Sequence, residues 1–237
     1  YCGRASHVQC MEQLQRFRLL RMLFARAEPH DVALACDTDE IPRPSAVQLL
    51  RDCAMFEGGG APSQPPPTMY VLVLARYTYG VHCVLGNDGV LSARAFSVRH
   101  LRDAYDEANP KAALPSLRQE LSMQRMRTRG VPHLHGGGWH LSSFGEPWEL
   151  RRKLQTWLHA DMFRNPVGLN LSRLERCAHN CLEPVGTSSC ADRNAPGERR
   201  FPGRVATRVG PDADLPAYLL EHREQFAAYF RYLPRRV

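Results

Sequence analysis

Val32-Ala33-Leu34-Ala35-Cys36-Asp37-Thr38-Asp39-Glu40-Ile41-Pro42 opens with five apolar residues and stops abruptly at three carboxylates. A short apolar run bounded in this way is the pattern of a buried parallel strand. In an open α/β sheet, ligands bind beyond the carboxyl ends of such strands. Asp37 and Asp39, two residues apart at that place, can share one hard cation. Magnesium and manganese take oxygen ligands and share them with substrate phosphates. A solvated acidic turn has the same composition. The apolar run ahead and Glu40-Ile41-Pro42 behind favour the metal.

Upstream, His7 to Arg26 reads as a helix, with Val8, Met11 and Leu14 on one face and an apolar C-terminal half at Leu19 to Phe24. Pro29 marks its exit. Downstream, Pro42 and Pro44 force a turn, and Ser45 is placed to cap a helix running to Phe56. Residues 57–67 hold three glycines and four prolines and read as a flexible insertion. Met69 to Tyr79 is expected as a strand. His82 to Leu85 and Val90 to Val98 are expected to pair as a hairpin across Gly86-Asn87-Asp88-Gly89.

Leu101 to Gly130 is polar and basic, with no clear helical period. After Gly136-Gly137-Gly138-Trp139-His140, a helix from Glu146 to Ala160 puts Leu150, Leu154, Trp157 and Leu158 on one stripe, with Arg151, Arg152 and Lys153 outside it. Arg164 to Asp212 reads as loop. A last helix starts with Pro216 in its first turn and runs through Leu219, Leu220, Phe226 and Phe230. The expected fold is α/β: a mostly parallel sheet flanked by helices, in a single domain over 1–237.

The chain carries 31 basic and 24 acidic residues, a formal charge of +7. The basic residues are nearly all arginine and are spread along the chain, with no aromatic-basic RNA motif, which argues against a nucleic-acid partner. Eight cysteines admit disulfides if the protein is lumenal, with no pairing deducible. Cys177-x-His179-x-Cys181 invites a zinc reading but lacks the paired CxxC geometry of a structural site. Asn170-Leu171-Ser172 is a lone N-glycosylation sequon. No stretch approaches the apolar length of a membrane span.

Asp37-Thr38-Asp39-Glu40-Ile41-Pro42 resembles the D-x-D-E-I-P signature of glycosyltransferase family 17, the β-1,4-mannosyl-glycoprotein 4-β-N-acetylglucosaminyltransferase family. Three further blocks resemble that family in order: Gln15-Arg16; Gly137-Gly138-Trp139-His140-Leu141-Ser142-Ser143-Phe144-Gly145 followed by Lys153 and Leu158-His159; and Leu215-Pro216-Ala217-Tyr218-Leu219-Leu220 with Phe226. Leu141 and Phe144 stand where some members have cysteine.

The resemblance implies a GT-A-like fold and an inverting transfer of N-acetylglucosamine from UDP-GlcNAc to a mannose of an N-glycan, dependent on Mn²⁺ or Mg²⁺. It also implies a glycoprotein acceptor and a Golgi lumenal domain of a membrane-anchored parent. Family members have a strand-helix segment ahead of the Gln15-Arg16 block, expected to cradle the uridine. Its absence here makes the chain an N-terminally truncated catalytic domain, expected to bind UDP weakly and to expose a sheet edge. The alternatives are a non-catalytic carbohydrate-binding remnant of the same fold, or a related transferase using another UDP-sugar.

Within that frame, Asp37, Asp39 and His140 are the candidate metal ligands, although a histidine beside tryptophan is equally a hydrogen-bonded core residue. Arg16, Asp37, Asp39, Glu40 and Trp139 are the candidate donor-binding residues. Arg16 can grip a pyrophosphate bidentately, against the simpler reading of a surface helix arginine. Trp139, Trp148 and Trp157 can stack on sugars, with Trp157 more simply core. Glu146 and Asp161 are candidates for the base that takes the acceptor's proton, or are plain helix-terminal charges. His133 and His135 read as ordinary strand residues.

Overall fold

The computed structural model describes residues 15, 18–52, 56, 67–84, 90–104, 131–156, 170–181, 207–208 and 214–231. The fold is mixed α/β. The strands are β1 Val32–Ala35, β2 Glu40–Pro42, β3 Met69–Thr78, β4 Gly80–Val84, β5 Val90–Ser97, β6 His133–Ser142 and β7 Thr207–Arg208. The helices are α1 over residues 18–24, then α2 Pro44–Asp52, α3 Val98–Ala104, α4 Pro147–Thr156, α5 Leu171–His179 and α6 Ala217–Glu221. A 3₁₀ turn covers Ala227–Phe230. The hydrogen-bonded path is β1-β5-β3-β4-β7, with β6 joined to β3 and β2 joined to β6.

The sheet is mixed rather than mostly parallel. β3 and β6 run parallel: the Val71 amide donates to the Pro132 carbonyl at 3.0 Å, and that of Tyr79 to Ser142 at 3.1 Å. β1–β5, β3–β4 and β4–β7 are antiparallel. The expected buried parallel strand is therefore β1, but it pairs antiparallel with β5, from Val32 opposite Ser97 to Ala35 opposite Arg94. It lies at the end of the path. Ala33 is buried while Leu34 is 39 % exposed, the alternation of a half-covered strand. A four-residue run of small apolar side chains does not distinguish the two cases.

The expected hairpin also forms elsewhere. β3 turns directly into β4, with Thr78 opposite Gly80, and the turn residue Tyr79 takes φ 64°. A Cβ on Gly80 would lie 2.7 Å from the Tyr229 carbonyl oxygen, so only glycine fits there. β5 neighbours β3 and β1 rather than β4. Residues 86–89 lie outside the described residues, as does the insertion read at 57–67 apart from Pro67.

The chain divides into two compact units, one of Tyr1–Thr38, Pro42–Leu74 and Leu91–Gly138, the other of Asp39–Ile41, Ala75–Val90 and Trp139–Val237. In the first, Leu20 of α1 packs with Ala33, Phe96, Val98 and Leu101. Arg102 closes the end of α1, its Nη2 donating at 2.7 Å to the carbonyls of Phe24 and Ala27, as a cation does at a helix C-terminus. Leu50 of α2 joins Tyr70, Leu72, Leu74, Ala93 and Ala95. That helix starts at Pro44 rather than at a Ser45 cap, because proline suits the first helical position.

In the second unit, Tyr79 packs with Leu150 and Leu154 of α4 and with Leu174 and Ala178 of α5. Helix α5 falls inside the stretch expected to be loop. The expected last helix stops at Glu221 and resumes only as the 3₁₀ turn.

Candidate functional site

The second unit brings Asp39, His140 and Lys153 together. Asp39 immediately precedes β2, and its carbonyl accepts from the Leu141 amide of β6 at 2.8 Å. That ladder bond sets His140, one residue earlier on β6, beside the Asp39 carboxylate. His140 Nε2 lies 3.5 Å from Asp39 Oδ1, and Lys153 Nζ donates to Asp39 Oδ2 at 3.2 Å.

Lys153 owes its position to the start of α4. Gly145 takes φ +124°, and a Cβ there would run into the Glu149 carboxylate. Pro147 is the first helical residue, and Glu149 Oε2 accepts from the Glu146 amide at 2.8 Å, the reciprocal half of a capping box. With Leu150 and Leu154 buried, helical spacing leaves Lys153 half-buried beside that stripe.

Burial would raise the Asp39 carboxyl, but the hydrogen bond and charge of His140, then the charge and hydrogen bond of Lys153, outweigh it and hold the group at about 2. Asp39 is thus anionic through the physiological range. The His140 ring turns Nε2 to Asp39, while its buried Nδ1 has no hydrogen-bond partner among the described residues. Two ligands of one six-coordinate ion, each about 2.1 Å from it, stand about 3 Å apart. The 3.5 Å between Asp39 and His140 is compatible with that arrangement.

The other expected site residues have the following settings. Asp37 is exposed and belongs to the first unit. Glu40 is only 5 % exposed, which leaves little surface for a donor contact. Trp139 is core and not a sugar platform. It packs among Tyr77, Val81, Leu215 and Leu219, and its indole N–H donates to the Asp214 carbonyl at 2.9 Å, so ring and donor are both occupied. Glu146 is held by Arg231, which also reaches Glu175 of α5 at 3.0 Å. Arg16 and Asp161 lie outside the described residues, as do Trp157 and His159. His133 and His135 are exposed on β6.

Lys153 was legible only as a charge beside an apolar stripe and as one letter of a motif. Its partnership with Asp39 spans 114 residues.

The late cysteines do not offer the thiolates that a zinc site in the expected spacing needs. Cys181 forms a disulfide with Cys83, and Cys177 is disulfide-bonded as well. His82, Cys83 and Cys181 bring potential ligand atoms close together, but the disulfide occupies both sulfurs. Among the described residues, no helix is long and apolar enough to cross a membrane. Comparisons with family models, with curated proteins and with solved structures found no match to this chain.

Proposed function

We propose that the chain is a catalytic region of an inverting, metal-dependent glycosyltransferase that moves N-acetylglucosamine from UDP-GlcNAc to a mannose of an N-glycan. One observation carries this reading. Three sequence-distant elements that each resemble glycosyltransferase family 17, the acidic motif, the G-W-H block and the following lysine, converge as Asp39, His140 and Lys153. An acidic turn without a function has no need of this company.

In the proposed reaction the acceptor hydroxyl oxygen attacks the anomeric carbon, the bond from that carbon to UDP breaks, and a carboxylate takes the hydroxyl proton. Asp39 and His140 would hold a Mn²⁺ or Mg²⁺ ion, which would supply positive charge to the departing diphosphate. Lys153, which pairs with Asp39, would offer that diphosphate an ammonium group. Glu146 serves as the base only if its pairing with Arg231 opens, and Asp161 is the other candidate. A lumenal setting is supported by the Cys83–Cys181 disulfide, since such bonds persist in oxidising compartments.

The test is turnover of a panel of UDP-sugars by the full chain with manganese, with magnesium and with EDTA. UDP-GlcNAc hydrolysis or transfer should require the metal and should fall by about 100-fold or more in Asp39→Asn. UDP binding without turnover would favour the non-catalytic carbohydrate-binding reading. Unchanged activity in Asp39→Asn, or in EDTA, would sink the metal assignment.

A further inference from the structure

Asn170-Leu171-Ser172 takes no part in the site above, yet its placement is specific. Asn170 is the N-cap of α5, in extended backbone, and its side-chain oxygen accepts from the Arg173 amide at 3.3 Å. Asn170, Leu171 and Ser172 are all exposed, while Arg173, Leu174, Cys177 and Ala178 turn inward. The cap uses the oxygen of the Asn170 amide and leaves the nitrogen, which is the atom a glycan takes. Capping and glycosylation are therefore compatible at this residue. Just past the far end of α5, Cys181 is joined to Cys83, the mark of a chain that matures in an oxidising compartment. That is also where this tripeptide is read as a modification signal.

We infer that Asn170 is N-glycosylated. Its Nδ2 forms a bond to the anomeric carbon of a lipid-diphosphate-linked oligosaccharide. The bond from that carbon to the diphosphate oxygen breaks, Nδ2 gives up one proton, and the lipid diphosphate leaves. The inference rests on the oxidising compartment and not on transferase activity, so the two readings fail independently.

The test directs the full chain into the secretory route of a eukaryotic cell and follows its gel mobility with and without peptide-N-glycosidase. One glycan should be present. Enzymatic release should convert the Asn170 amide to a carboxylic acid, detected by mass spectrometry of the peptide spanning 165–173. Ser172→Ala and Asn170→Asp should each abolish the shift. Both retain an oxygen acceptor at the cap, so both should melt close to the unmodified parent, which separates loss of the glycan from loss of the helix. Because transfer precedes folding, a variant that folds poorly still reports the modification. An unmodified Asn170 in the secreted parent, or a shift that survives in Ser172→Ala, would overturn the proposal.

Discussion

Asp39 combines a carboxyl held at about 2 with two nearby cationic or proton-bearing partners, and this couples the site to acid stability. A depressed carboxyl stabilises the folded chain fully above its unfolded value, here the ordinary 3.8. That contribution is lost as pH falls towards about 2 and is absent below both values. Asp39→Asn should cost about 1–2 kcal/mol at neutral pH, discounted for partial exposure. The gap between variant and parent should close between about pH 4 and pH 2. Melting curves across that window check this, and a gap that stays constant down to pH 2 would contradict the pairing. At this scale the sequence was informative where chemistry was carried by residue type. Asp39 and His140 were legible as candidates through the apolar run ahead of the carboxylates and through the two blocks that resemble the family, although each also had a bland reading. Trp139 was misread because an indole suits a sugar platform and a core equally well, and only Asp214 and Leu215, some 75 residues away, decide between them.

Among the elements, α4 was readable almost to its first residue, because Gly145, Glu146, Pro147 and Glu149 all give local start signals. The same signals make it fragile at one point. Gly145→Ala would strain a backbone at φ +124° and displace the Glu149 carboxylate that caps the helix. It should cost about 1–3 kcal/mol, read as a lower urea midpoint with unchanged m-value. A neutral Gly145→Ala would show that the cap contributes nothing. Helix α5 went unseen although Leu174, Cys177 and Ala178 are spaced for one face, because Cys177 and the nearby Cys181 drew a loop-and-metal reading instead of an apolar one. The β3–β4 turn was missed for a different reason. Local rules favour Gly-Asn-Asp-Gly for a hairpin, whereas the observed turn holds Tyr79 in the left-handed region. That residue is buried against α4 and α5, so packing outweighs a local preference worth about 1 kcal/mol.

For the molecule as a whole, the α/β class was legible from alternating helical and strand patterns, but strand direction was not. Pairing between β1 and β5 or between β3 and β6 depends on contacts more than 50 residues apart, which leave no local trace. The pairing of the cysteines was equally hidden. Cys83 and Cys181 are 0 % and 1 % exposed, so the folded chain should resist mild thiol reductants. Replacing both by alanine should cost about 2–5 kcal/mol, measured as a drop in melting temperature. A variant as stable as its parent would assign the bond no role in stability. The bond also turns part of the backbone into a covalent ring, because Cys83 and Cys181 stand 98 positions apart. A single scission at any point inside that ring leaves one molecule of unchanged mass, apart from a water. Proteolytic damage there would escape a gel run without reductant and would appear as two fragments only after the sulfurs are parted.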